Sequence, residues 1–165
     1  MSAMLYDLTV FDRVSSQASG GESLPAGVEF VSLRQIAAGP AAGVRSRSFA
    51  RMAFRVAAAF DPPLPLTVSD RHLVLIAVAG QDSVGLSVTA PEGRFGFDML
   101  TWVEAPWRHQ GIGAAMKCRA VRNARWARIT ALWAPGGRRS AAFYKSLGVA
   151  PAAGFRTDLP QDLPD

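Results

Sequence analysis

The stretch Arg108-His109-Gln110-Gly111-Ile112-Gly113 constrains this chain more than any other. An apolar, strand-like run from Phe95 to Val103 precedes it, and a helix-like run from Gly111 to Trp126 follows. A turn of this kind opens a helix whose first backbone N–H groups have no internal partner. Those donors, together with the helix dipole, favour an anion. Gly111 and Gly113 lack a Cβ, so a ligand can approach the backbone closely. The pattern predicts a phosphate-bearing ligand at the helix start.

The surrounding periodicities predict an α/β fold, a mixed central sheet flanked by helices. Residues 1–27 read as an N-terminal extension with an extra strand, Leu5 to Phe11, and a Ser/Gly-rich loop after it. The domain proper is expected over residues 28–165. It begins with an alternating strand, Val28 to Leu33, and a short helix, Arg34 to Ala42. Phe49, Met52, Ala53, Val56 and Phe60 then fall at helical spacing within Arg45 to Phe60. The prolines of Asp61 to Pro65 break that helix. His72 to Ala79 and Ser83 to Thr89 flank a short loop and read as a hairpin. Arg94 to Val103 follows as a further strand. After the glycine turn come a helix over 111–126, a strand from Ile129 to Trp133, and a helix from Arg138 to Leu147. Gly148 stands where a helix C-cap belongs. The tail has room for only a short strand or two.

Composition narrows the function classes. With 165 residues, one domain with a full core is expected. The longest apolar run, Leu73 to Ala79, is too short to span a bilayer, and no secretory leader is visible. The single cysteine, Cys118, has no partner for an internal disulfide. With His72 and His109 as the only histidines, a metal site is not expected. A cytoplasmic location follows by default. The net charge of +5 favours anionic ligands in general. Lys117, Arg119, Arg122, Arg125 and Arg128 resemble a nucleic-acid patch. Helical spacing instead makes Ile112, Met116, Ala120 and Ala124 the buried stripe and puts most of these charges on the opposite, solvated side. No nucleic-acid or membrane partner is expected.

The residues just described resemble the GNAT superfamily of acyl-CoA-dependent N-acetyltransferases. That family's motif is Arg or Gln, two residues, Gly, one residue, Gly or Ala. Here Arg108, Gly111 and Gly113 match it, with Val103 at the usual spacing before them. About thirty residues on, Ala141-Ala142-Phe143-Tyr144-Lys145-Ser146-Leu147-Gly148-Val149 resembles the family's second signature, Tyr-x-x-Leu-Gly-aromatic. The resemblance covers roughly residues 28 to 152. Val149 stands where the family has an aromatic residue, and Gly137 where it often has an Asn. The tail is too short for the family's long last hairpin. Either the Leu5 to Phe11 strand fills that place in the sheet, or a partner subunit does, which would make a homodimer.

The resemblance implies a GNAT fold and transfer of an acetyl group from acetyl-CoA to a primary amine of a small molecule or peptide. It implies that the amides of His109, Gln110, Gly111, Ile112, Gly113 and Ala114 cradle the CoA pyrophosphate, with Arg108 adding charge. The backbone of Trp102 and Val103 would pair with the pantetheine arm. Tyr144 would be the general acid for the leaving thiolate, a role that suits a neutral phenol. A carboxylate base is expected. Asp98, inside an apolar strand, and Glu104, just after it, are the two candidates. Asp98 also reads as a structural carboxylate paired with Arg94, His109 as an exposed turn residue, and Cys118 as a packing residue. Few acids accompany Arg45, Arg47, Arg51 and Arg55, so an acceptor bearing a carboxylate or phosphate fits better than a polyamine. Two rivals remain: a GNAT-like protein performing another acyl-CoA reaction in a biosynthetic pathway, and a non-enzymatic CoA- or partner-binding module.

Overall fold

The computed structural model describes residues 2–8, 24–59, 68–69, 71–135, 138–146, 148–149 and 151–158. The strands are β1 (Ser2–Asp7), β2 (Val28–Val31), β3 (Leu73–Ala79), β4 (Asp82–Glu92), β5 (Phe95–Val103), β6 (Ala131–Pro135) and β7 (Pro151–Asp158). Among the described residues the helices are α1 (Leu33–Ile36), α2 (Ala42–Ala58), α3 (Ile112–Trp126) and α4 (Arg138–Ser146), with a 3-10 turn at Ala105–Trp107. The expected Val10 and Phe11, the loop from Ser15 to Gly21, the 61–65 breaker, Gly137 and Leu147 lie outside the described residues.

One sheet runs in the order β2-β3-β4-β5-β6-β1-β7. The alternating segments from 73 to 103 make an antiparallel meander, because short turns at Gly80 and Gly93, both at positive φ, reverse the chain. The crossover through α3 makes β5 and β6 parallel. α1 and α2 cover one face: Ile36, Met52 and Val56 pack on Ile76, Val78, Leu86, Val88 and Leu100. α3 covers the other. Ile112 and Met116 meet Leu75, Ala77 and Val84, while Cys118, Val121 and Ala124 meet Tyr6, Leu132 and Ala134. Gly85 permits that approach, since a Cβ there would lie 2.6 Å from the Met116 Cε.

The N-terminal strand fills the gap in the sheet from within the same chain. β1 lies between β6 and β7 and is antiparallel to both, with Leu5 opposite Trp133 and Ser2 opposite Asp158. Leu5 and Tyr6 are buried there. The strand after α3 begins at Ala131 rather than Ile129, because Ile129 first donates its amide to Ala124 O and closes the helix. The buried stripe of α3 contains Ala115, Cys118 and Val121 but not Ala120.

Candidate active site

β5 and β6 pair only from Phe95–Ala131 to Phe97–Trp133. Beyond that point β5 runs on to Val103 alongside β4, while β6 runs to Pro135 alongside β1. The two parallel strands therefore part at Asp98, opening a fork. At the far end of β5, the turn at Ala105–Trp107 leads into the glycine motif. His109 and Gly111 sit at φ 63° and 81°, and Gly111 caps α3 without a side-chain bond. Among the described residues, none of the amides from His109 to Ala114 donates to a backbone carbonyl outside the helix, and the first helical amides have none within it. A Cβ on Gly113 would meet only Val103 Cγ2, at 3.6 Å. Packing does not require glycine there, and its lack of a side chain leaves the backbone open to close approach.

At the mouth of the fork three polar side chains meet. Asp98, buried to 5% exposure, accepts on Oδ2 from the Tyr144 hydroxyl at 2.8 Å and from Lys117 Nζ. Lys117 also donates to Thr101 Oγ1 at 3.2 Å. A β-bulge explains how Asp98 and Thr101 reach the same ammonium. Thr89 pairs with Asp98 and Val88 with Leu100, so Met99 is the extra residue. The bulge turns Leu100 and Trp102 to the α2 face and Thr101 to the α3 face, where Asp98 already points.

Tyr144 is fully buried and stacks on Tyr6 of β1, ring centroids 3.9 Å apart. Burial, then the charge of Asp98 and its hydrogen bond, push the Tyr144 phenol well above its ordinary value of 10.0. Burial and, next, the Asp98 charge raise Tyr6 too. α4 is closed behind Tyr144 by Gly148 at φ 72°, and the Val149 amide donates to the Tyr144 carbonyl at 3.0 Å.

The other face of the β5 end carries an open cleft of about 360 Å³. Ser48, Arg51 and Arg55 of α2 form one wall, and Glu104, Pro106 and Trp107 another. Arg55 is paired with Glu104 at 2.7 Å. Arg45 is turned away, bound to Glu29 and to the Gly80 carbonyl, both at 3.1 Å.

No family model and no curated protein matches this chain. Solved structures do. A GCN5-related N-acetyltransferase from Sphaerobacter thermophilus superposes with a TM-score of 0.58 at 19% identity, over 92% of this chain and 48% of that one. One from Kribbella flavida gives 0.55 at 16% identity, over 92% and 55%. The ribosomal-protein-S18-alanine N-acetyltransferase of Escherichia coli gives 0.51 at 17% identity, over 73% and 75%. This chain has the GNAT fold. It spans about half the length of the first two relatives.

Within the GNAT fold, the residues expected from sequence fall into four groups. His109, Gln110, Gly111, Ile112, Gly113 and Ala114 form the turn and first turn of α3. Arg108 is bent back: its Nε donates to the Val103 carbonyl at 2.9 Å and its guanidinium lies 4.9 Å over the Trp102 ring. The Val103 carbonyl, expected to pair with pantetheine, is thus held by Arg108. Asp98 and Tyr144 come together across 46 residues of sequence. Glu104 does not join them; it lies just past the end of β5 and is paired with Arg55 instead.

Two expectations change. Asp98 is not partnered by Arg94, which is exposed; Lys117 and Tyr144 hold it instead. Lys117 does not belong with the solvated charges of α3, because its side chain turns under the helix onto Asp98 and keeps 13% exposure. The signal for this residue was present in the helical spacing: Val121, four residues on, and Ala124, seven on, are both buried. Tyr6 was read only as part of a strand.

Proposed function

We propose that this protein transfers an acetyl group from acetyl-CoA to a primary amine by direct attack. The observation that carries this reading is the continuity between two features at opposite ends of β5. Free helix-start amides at 109–114 lie at one end, and the strand fork with Tyr144 at the other. An extended phosphopantetheine arm matches that span, with its pyrophosphate on the amides and its thioester at the fork. Gly113 leaves room for the first, and the unpaired β6-facing edge of β5 offers backbone groups for the second. Trp102 and Val103 lie on that stretch, so entry of the arm would displace Arg108 from the Val103 carbonyl and free its guanidinium for phosphate.

Tyr144 is the general acid for the departing thiolate in this reading. Asp98 orients it. With Oδ2 already accepting from a phenol and an ammonium, Asp98 suits an anchor better than a free base. Glu104 is paired with Arg55 near the cradle and acts on the loop geometry there. The acceptor ammonium then loses its proton to solvent. That both expected carboxylates are engaged favours, as a second reading, a different acyl-CoA reaction on the same scaffold. Arg51, on the cleft wall beside the Arg55–Glu104 pair, fits an acceptor bearing a carboxylate or phosphate.

The test is thiol release from acetyl-CoA with glycine, glucosamine, phenethylamine and spermidine, alongside a thermal shift with acetyl-CoA. Binding to the native state alone raises apparent stability. A shift with amine-dependent thiol release is expected. No shift at saturating acetyl-CoA would remove both the acetyltransferase reading and the second one.

A further inference from the structure

We infer that the cleft between α2 and the Ala105–Trp107 turn is a second binding site, separate from the fork, for a small zwitterion: an α-amino acid with an apolar side chain. Its walls carry two arginines, Arg51 and Arg55, and two carboxylates, Asp82 and Glu104. Arg55 spends Nε and Nη2 on Glu104 Oε1, at 3.1 and 2.7 Å, so that pair neutralises itself. Arg51 and Asp82 remain. Both are exposed, and among the described residues no ion pair includes either. The Asp82 carboxylate receives the Ser48 hydroxyl at 3.5 Å, the outer limit of a hydrogen bond. Ser48 and Arg51 are neighbours three residues apart on α2, so the two unpaired charges stand within about one helical turn of each other. Ser83 lines the same cleft and is 4% exposed. Its amide donates to Ser48 Oγ at 2.9 Å, while among the described residues its own hydroxyl has no partner. A buried hydroxyl ordinarily has one.

The lining decides the class of ligand. Two arginines against two carboxylates sum to zero, so a dianion such as phosphate would bring uncompensated charge beside Asp82 and Glu104. A zwitterion satisfies both free ends at once. Its carboxylate takes parallel N–H bonds from the Arg51 guanidinium, its ammonium meets Asp82, and the Ser83 hydroxyl donates to the carboxylate. Pro106 and Trp107 give its side chain an apolar wall. A volume of about 360 Å³ is at the small end for ligand pockets and suits one amino acid rather than a peptide. Position decides what happens to the occupant. The cleft lies at the Glu104 end of β5 on the α2 face, whereas Tyr144 packs under α3 on the opposite face. An ammonium on Asp82 is turned away from the fork, so the amino acid is held there and not acetylated. An acceptor that reached Arg51 with a distal carboxylate would compete with it.

The test is isothermal titration calorimetry of the full chain with L-leucine, with isoamylamine (which lacks the carboxylate), with isocaproate (which lacks the ammonium) and with inorganic phosphate. L-leucine should bind, and each of the other three should bind at least tenfold more weakly. Arg51→Ala and Asp82→Asn alter exposed side chains, so their melting temperatures should match wild type while each weakens L-leucine at least tenfold. Ser83→Ala should weaken it severalfold. Absence of L-leucine binding to wild type overturns the inference, as does binding that survives both exposed-site variants. Isocaproate or phosphate binding as tightly as L-leucine overturns the zwitterion and leaves a plain anion site. Acetylation of L-leucine that disappears in Arg51→Ala together with binding would make the cleft an acceptor pocket and overturn its separateness. The titrations contain no acetyl-CoA, so their outcome is independent of the acetyltransferase reading.

Discussion

A phenol, a carboxylate and an ammonium meet at one atom in the core, and each holds the others in place. Replacing Asp98 with Asn leaves Lys117 charged and uncompensated, which should lower stability by on the order of 3 kcal/mol. The same variant should depress turnover and spare the thermal shift with acetyl-CoA. Chemical denaturation and steady-state kinetics check the two effects, and unchanged turnover would take Asp98 out of the mechanism. Tyr144→Phe removes the acid alone, so kcat should drop by roughly a hundredfold with the acetyl-CoA shift retained. The pH dependence follows from the direction in which Tyr144 is moved. Its raised value means that the fold favours the neutral phenol. That stability is whole below the ordinary value of 10.0 and is lost as pH rises through the raised one. Alkaline unfolding should therefore be steeper in wild type than in Tyr144→Phe. Ionisation of Tyr144 should not limit the rate below pH 10.

At the scale of elements, two glycines that look alike in sequence should behave in opposite ways. Gly85 is a packing glycine: Gly85→Ala would press on Met116 Cε and on the Trp102 carbonyl, costing about 1–3 kcal/mol. Gly113 is a ligand glycine. Gly113→Val should leave the melting temperature nearly unchanged and abolish the shift with acetyl-CoA; a retained shift would move the cradle elsewhere. The glycine turn, its strand and its helix were legible from periodicity and turn residues, because those signals are local. The bulge at Met99 was not. Plain alternation over 95–103 places Asp98, Leu100 and Trp102 on one face, and the extra residue separates them. Bulges leave no composition signature, so the Asp98–Thr101–Lys117 cluster was invisible although each element around it was expected. The partner of Asp98 depended on the same slip: Arg94 is near in sequence, whereas Lys117 is near in space.

For the molecule as a whole, the sequence left two ways to complete the sheet, and the chain's own first residues do it. Nothing in local pattern distinguishes a strand that pairs within its chain from one that pairs with a neighbour. Deleting residues 1–8 strips β6 and β7 of their shared partner and removes Tyr6 from Tyr144. The truncated protein should unfold at much lower temperature and lose turnover. A synthetic peptide of residues 1–8 added in trans should restore part of both; full activity without it would show that Tyr6 does not support the acid. The pairing of Ser2 with Asp158 has one more consequence, and it concerns time. β1 finds its neighbours only in β6 and β7, more than 120 residues further along the chain. Contacts of such long sequence separation form slowly. The meander of β2 to β5 can assemble from neighbouring segments, but the fork that holds Tyr144 closes only once β1 has met β6 and β7.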